Sequence, residues 1–337
     1  MLLTGLIAAI PVSIVSFFLC TLAIKFGPED SPDGLRKLQE HPISRGGGVA
    51  IAAVLLLGIV ILKLTGDTSV QNPTVLNVIA LCTSFFLVGL WDDLKPPPAI
   101  LKLGVLTMLI AIFILSGNYS AAITTPLGSI EMPLVLMIGS GFWLLVFGNA
   151  TNFMDGSNGL MAGCIAIMMT GFAIIFLFDY TFVIFPMPLI IYSLFLGAVL
   201  GFLIHNLRGK LYAGDAGSLG LGALFASLGL VSGVQVWTVA TLALPFLIDV
   251  LMTLIWREKH GRPWLQPHLD HAYQKLRLSG WSHIETAFLY WGLSIVCAIS
   301  AVIAAKADGD APFFVFWGLC LSGIILWSAH RRGHPAQ

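Results

Sequence analysis

The sequence is poor in charge. Asp, Glu, Lys and Arg make up 10% of its 337 residues, and 17 acids balance 17 bases. Soluble globular chains carry about a quarter charged residues, so this scarcity excludes that class, and zero net charge leaves no basic footprint for nucleic acid. The five cysteines, Cys20, Cys82, Cys164, Cys297 and Cys320, stand singly among apolar residues with no CxxC pair. That excludes a disulfide framework and a cysteine-based zinc ribbon and leaves them as small core residues. There is no extended soluble segment, and no clear internal repeat of the kind many transporters carry.

What the chain has is apolar length. Hydrophobic residues make up 57% and the mean hydropathy is +0.92. A spanning helix takes about 20 mainly apolar residues, and such stretches fall at approximately 2–24, 47–64, 75–91, 100–116, 132–150, 160–178, 183–204, 218–234, 236–256, 284–305 and 312–329. The expected fold is therefore all-α: a polytopic integral membrane protein of about eleven transmembrane helices forming one membrane domain over 1–337. The stretch from Leu2 to Ile24 has no basic segment before it and no small-residue cleavage site after it, so it reads as a retained first span. With these spans, Lys63 and Lys306 are the only two of the 17 basic residues on one side. The lysine and arginine rule then places the N-terminus outside and the C-terminus in the cytoplasm.

Three polar sequences interrupt the apolar runs, and this topology puts all three at the cytoplasmic face. The first is Trp91-Asp92-Asp93, two adjacent carboxylates at a helix C-terminus, where the macrodipole disfavours them; alone, the pair could simply solvate the helix end before Pro96-Pro97-Pro98. The second runs from Asn152 to Gly159, where Asn152, Asp155 and Asn158 recur every third residue and could converge on one ligand from a helical turn. A tight capped loop accounts for the same spacing. The third is Gly214-Asp215-Ala216-Gly217-Ser218-Leu219-Gly220. Glycines ahead of a helix suit a phosphate, but an aspartate in that turn would repel it. A hard divalent cation, Mg²⁺ or Mn²⁺, between carboxylates and phosphate resolves the conflict. Chemistry on a phosphate ester is the economical joint account.

Basic candidates for the same face are Arg45, Lys95, Lys102, Arg208, Lys210 and Arg262, each of which also serves as an inside-positive topology marker. Arg45 stands out because Gly46-Gly47-Gly48 follow it. The largest inside loop, about 257–283, carries Pro267-His268-Leu269-Asp270-His271-Ala272-Tyr273; two histidines at this spacing, without a zincin glutamate, give little support for zinc. Asp249, four residues after Pro245 inside the ninth span, is a functional candidate by default. It either marks a broken helix opening a lipid groove or bonds backbone groups freed by the proline.

These residues resemble one family, the polyprenyl-phosphate N-acetylhexosamine-1-phosphate transferases of the glycosyltransferase 4 type. The resemblance rests on His41-Pro-Ile-Ser-Arg45-Gly-Gly-Gly48, the Asp92-Asp93 pair, the 152–159 and 214–222 segments and the histidine loop, in order and sidedness. It implies transfer of a sugar 1-phosphate from a UDP-sugar to undecaprenyl phosphate with release of UMP, at the cytoplasmic face of a bacterial inner membrane, and at family level a homodimer. It also implies roles: Asp215 and Asp155 toward metal, Asp92 as base or covalent nucleophile, Asp93 in support, and Arg45, Asn152, Asp155, Asn158, His268 and His271 toward substrate. The loop lacks the His-His-His-Phe-Glu string of the UDP-MurNAc-pentapeptide branch. It is closer to enzymes that initiate O-antigen or other surface polysaccharides with GlcNAc, FucNAc or QuiNAc donors. The rival class is an ion-coupled transporter, whose site would sit near the bilayer midplane. A non-catalytic scaffold would leave the aspartates without a purpose.

Overall fold

The computed structural model describes residues 2–30, 42–178, 189–264, 266 and 268–333. His41, Pro267 and the start of the expected span at 183 lie outside them. Among the described residues there are eleven long helices: α1 (Leu2–Phe26), α2 (Gly47–Leu64), α3 (Pro73–Leu94), α4 (Ala99–Leu115), α5 (Pro133–Phe153), α6 (Leu160–Phe178), α7 (Leu189–Leu207), α8 (Gly214–Val231), α9 (Val236–Lys259), α11 (His283–Ala307) and α12 (Ala311–Gly333), with a short α10 (Ala272–Leu278) between α9 and α11. Nine have the length and hydropathy to cross a membrane, while α4 and the described part of α7 are shorter apolar helices. Among the described residues, strand is confined to two small antiparallel pairs, β1 (Glu29–Asp30) with β2 (Ile43–Ser44) and β3 (Ile123–Thr125) with β4 (Gly128–Ile130). The chain is an all-α polytopic membrane protein.

Local chemistry explains the helix ends. Asn72 accepts from the Thr74 N–H at 2.9 Å and Pro73 fills the first helical position of α3, where its missing N–H has no intrahelical partner to lose. Ser282 and Glu285 form a reciprocal capping box at the start of α11. The outer helices turn apolar side chains to the lipid, as at Phe18, Ile112 and Leu321, which a bilayer solvates at no penalty.

The centre of the bundle is α8, buried from Ala216 to Leu230 and flanked by α2, α3 and α5. Its glycines make that possible. A side chain at Gly217 would collide with Ala213 and with the Cα of Gly48 on α2, and one at Gly222 with Thr151 on α5. These small residues let backbones approach, as helix contacts in a membrane require. The expected start of this span, 218, is four residues late. Gly214 to Gly217 form its first turn rather than a loop before it, because a carboxylate from α3 caps them.

One further departure concerns α9, which runs through Pro245 as a single helix. Asp249 bonds neither a lipid groove nor proline-freed groups. It accepts from the N–H groups of Ala272 and Tyr273 at 2.7 and 3.2 Å, and from the Tyr290 hydroxyl at 2.6 Å. The buried acid therefore caps α10 and anchors the histidine loop.

Gly89 on α3 faces the backbone of Asp215 and Ala216 so closely that any Cβ would overlap it. Overpacking of this kind costs about 1–3 kcal/mol. Gly89→Ala is expected to lower the melting temperature of the detergent-solubilised protein. An unchanged melting temperature would mean that the α3–α8 contact is not under this constraint.

Candidate active site

The end of α3, the start of α8 and the first turn of α4 meet at one point. Asp93, its side chain 1% exposed, accepts from the N–H groups of Asp215 and Ala216, both at 3.0 Å, so it caps α8 across the interface. Its neighbour Asp92 points differently and bonds the Lys102 ammonium, which also bonds Asp215. Lys102 thus bridges two carboxylates on separate helices. Arg45 stands 3.9 Å from Asp93. It is held there by the segment ahead of α2, where Gly47 and Gly48 donate to the carbonyls of Tyr212 and Ala213 at 3.1 and 2.8 Å, and Ser44 accepts from Tyr212 N–H at 2.8 Å.

The 152–159 segment approaches from the other side. Asn152, in the last turn of α5, donates to Ser218 on α8 at 2.9 Å. Asp155 lies beyond the helix end and faces the Gly214 N–H; burial and then the carboxylates of Asp215 and Asp93 hold its pKa well above the usual range, against the opposing pull of that N–H and Arg45. The three do not share a helical turn, since α5 ends at Phe153 and only Asn152 lies within it. The Asn158 backbone N–H and the Ser157 hydroxyl meet His283 Nδ1 at 3.3 and 2.9 Å, and Gly159 N–H donates to Asn206 at 2.6 Å. The side-chain oxygen of Asn158 is buried with no hydrogen-bond partner.

The histidine loop forms a second polar centre. His271 opens α10, 3.5 Å from Asp249, with its ring near Phe153 and 5.0 Å from that of His268. Burial, with the nearby His271 and Arg257, lowers His268 to about 4, so it is neutral at pH 7. The two centres touch where the Tyr273 hydroxyl donates to the Phe153 carbonyl at 2.9 Å. Asp270 is surrounded by Arg257, Arg262, Lys275 and Arg331, and Arg331 also stacks 3.7 Å from the Trp256 ring.

Four acids around one point call for positive charge. Among the described residues no group of three His, Cys, Asp or Glu side chains is arranged to hold a metal. Mg²⁺, however, commonly takes one or two carboxylates and completes its shell with water and phosphate. A pair of carboxylates such as Asp215 and Asp155, with water and phosphate completing the shell, suits such a hard ion, and the Lys102 ammonium between Asp92 and Asp215 marks where a cation is stabilised.

Lys102 is the residue that sequence reasoning undervalued. It was one of six basic candidates, yet it is the only charged residue in α4, placed one turn after the three prolines. A lone lysine in an apolar span, close in sequence to an acid pair, is the signal that singles it out.

The structure defines an apolar helical bundle of membrane-spanning length with acids gathered at one end, and comparison with known proteins shows what it is similar to. Residues 75–233 match glycosyl transferase family 4. Over 330 residues the chain is 26% identical to a probable undecaprenyl-phosphate N-acetylglucosaminyl 1-phosphate transferase of Bacillus subtilis, covering 94% of this chain and 88% of that one. It is 26% identical over 301 residues to a phospho-N-acetylmuramoyl-pentapeptide-transferase of Listeria monocytogenes, covering 83% and 89%. A Staphylococcus aureus protein of the same description is 27% identical over 300 residues, covering 82% and 89%. The chain is thus similar to glycosyl transferase family 4 over 75–233 and, over most of its length, to proteins described as undecaprenyl-phosphate and pentapeptide sugar-1-phosphate transferases.

The histidine loop should respond to acid in a specific direction. Burial raises the Asp270 pKa, but the hydrogen bond from Arg257 and the charges of His268, Lys275 and Arg257 outweigh it, and the net shift is downward. A depressed carboxylate stabilises the fold fully above its unfolded value of about 3.9 and loses that contribution as pH falls through its lower folded value. Amide exchange protection across 268–276 is therefore expected to hold from neutral pH down to that unfolded value and to fall below it. Asp270→Asn should weaken protection at pH 7 and flatten the acid response. Equal protection in mutant and wild type would remove Asp270 as the loop's anchor.

Proposed function

We propose that the protein transfers an N-acetylhexosamine 1-phosphate from a UDP-sugar to undecaprenyl phosphate, giving undecaprenyl-diphosphate-sugar and UMP. The product would initiate O-antigen or a related surface polysaccharide. The single observation that carries this reading is the Asp92–Lys102–Asp215 bridge beside the capped start of α8. It is a charge-compensated acid cluster at the end of the bundle, where a water-soluble nucleotide and a membrane lipid can meet. With the basic loops inside, this end faces the cytoplasm of a bacterial inner membrane. A transporter site would sit near mid-bilayer, which disfavours the rival reading, as does similarity to a transferase family.

In this reaction an oxygen of the lipid phosphate bonds to the β-phosphorus of the UDP-sugar while the bond from that phosphorus to the UMP oxygen breaks. Asp92 accepts the remaining proton of the lipid phosphate. Lys102 and Arg45 offset the negative charge of two phosphates brought together. Asp93 acts through position: by capping α8 it fixes Asp215 and the Gly214 backbone. Asn152 and Asp155 orient the nucleotide sugar, and His268 and His271 close over it from the loop. Asp215 and Asp155 would hold Mg²⁺, with Mn²⁺ as the alternative; when bound, it would neutralise phosphate charge and stabilise the leaving UMP. Donors of the GlcNAc, FucNAc or QuiNAc type are favoured because the 267–276 loop lacks the tri-histidine string of the pentapeptide branch.

The test is UMP release by purified protein with undecaprenyl phosphate and Mg²⁺. The donor panel is UDP-GlcNAc, UDP-GalNAc, UDP-FucNAc, UDP-QuiNAc and UDP-MurNAc pentapeptide, with EDTA and lipid-free controls. Release with one donor, dependent on metal and lipid, is expected. Asp92→Asn, Asp215→Asn and Lys102→Met are each expected to reduce turnover by about 10²-fold or more without loss of folded protein. Release that survives EDTA, or normal turnover in the Asp215 variant, would refute the metal assignment.

A further inference from the structure

Most of α12 faces lipid, as at Phe314, Leu321 and Ile325, yet its last turn ends in a buried charge: Arg331 is 7% exposed. The helix delivers that residue along one ridge. Gly323, Trp327 and Arg331 recur every fourth residue and so share a face. A side chain at Gly323 would overlap Ile248 on α9, and the Arg331 guanidinium lies 3.7 Å from the centre of the Trp256 ring, also on α9. Ile248 to Trp256 and Gly323 to Arg331 are matched advances along the two helices, roughly 12 Å each at 1.5 Å per residue. The helices therefore run parallel and in step down to the histidine loop.

At the end of that ridge Arg331 grips one loop residue twice. Nη1 donates to the Asp270 carbonyl at 2.9 Å and Nη2 to the Asp270 carboxylate at 3.5 Å. Neutralising that carboxylate does not require Arg331, because the buried Arg257 already pairs with it and Arg262 and Lys275 stand 3.5 and 3.7 Å away. What Arg331 adds is direction. A planar guanidinium lying on an indole offers its donors at fixed angles, and one of them takes the backbone oxygen. The N–H of the same Asp270 donates to His268 Nδ1 at 3.3 Å. A neutral imidazole that accepts at Nδ1 carries its proton on Nε2. Asp270, held at its carbonyl, its carboxylate and its N–H, thus carries a constraint from α12 to His268.

We infer that Arg331 is a positioning residue: from the end of α12, through Asp270, it fixes His268 with Nε2 as the donor nitrogen, so that the loop presents a hydrogen bond to a phosphate oxygen of the nucleotide diphosphate. This assignment rests on the transferase reading above, in which the loop closes over the nucleotide sugar. Arg331 itself touches no substrate; it acts through Asp270. Holding the imidazole neutral and oriented supplies a donor without placing a fifth positive charge beside Arg257, Arg262, Lys275 and Arg331, where like charges disfavour one.

The test uses the full chain in detergent with ¹⁵N-labelled histidine, and UDP, the part shared by every donor in the panel, as the ligand. The signal lost in His268→Gln identifies His268. Wild type is expected to show it as the Nε2–H tautomer and Arg331→Met as a mixture of the two tautomers. UDP should bind Arg331→Met about ten-fold more weakly, the loss of one oriented hydrogen bond to an anion, while the KM for undecaprenyl phosphate stays unchanged. Arg331→Lys should behave like Arg331→Met, because an ammonium cannot hold two Asp270 oxygens while lying flat on Trp256. Full rescue by lysine would mean that Arg331 supplies charge alone and would overturn the inference. An Nδ1–H tautomer in wild type would overturn it too, and that measurement needs no Arg331 variant to fold. Arg332→Met, at the exposed next position, should change none of these readouts. UMP release by wild type, with tautomer and UDP affinity unaltered in Arg331→Met, would sink the positioning role and leave the reaction standing. The expected tautomer and affinity changes without UMP release from any donor would do the reverse.

Discussion

The structure depends on one constraint: carboxylates drawn together at the edge of a low-dielectric bundle must find compensating charge. Asp93 finds it in backbone. Its carboxylate meets two N–H groups at the start of α8, which would otherwise lack intrahelical partners and which carry the positive end of the helix dipole. Asp92 and Asp215 find it in Lys102. The adjacent pair Asp92-Asp93 is thus not redundant. Successive residues on a helix are about 100° apart, so one acid faces α8 and fastens it while the other turns toward the shared ammonium.

Fastening α8 has consequences along its length. The helix can be buried from Ala216 to Leu230 because glycines present no side chain to α2, α3 and α5. The Gly-rich third motif therefore does two jobs. Gly214, at φ +67, needs the left-handed conformation that glycine adopts at no steric cost and sits against the Asp93 carboxylate. Gly217, Gly220 and Gly222 serve contact between helices. The phosphate-binding reading of these glycines attended to the first and missed the others, because spacing alone does not distinguish backbone exposed to a ligand from backbone exposed to another helix.

What was legible in the sequence follows the same division. Long apolar runs are governed by bilayer thickness, which is why all eleven long helices are recognisable from hydropathy and most boundaries fall within a few residues. The four acids near one another were legible because three motifs share one side of the topology. What was not legible depends on which side chain meets which across helices. Lys102 looked like any inside-positive lysine, Arg257 like a loop cation rather than a buried partner of Asp270, and Asp249 like the mark of a lipid groove or a proline accessory rather than the cap of α10. The short α10, seven residues long, has no apolar period strong enough to stand out, and it is held by Asp249 from outside its own sequence.

The two polar centres are built on opposite logic. Around Asp92, Asp93, Asp155 and Asp215 acids outnumber bases, and the centre is completed by added positive charge. Around Asp270 four cations surround one carboxylate, so that centre favours added anion. The Tyr273–Phe153 hydrogen bond joins them, linking the histidine loop to the turn that carries Asp155. In the proposed reaction, a nucleotide diphosphate paired with a divalent cation would present both charges at once and would satisfy both centres only when they are held together. The loop is anchored by Asp249 and Arg331 rather than by the acid cluster itself. Its position is therefore set before ligand arrives, and the charge mismatch between the centres is left for the ligand to resolve.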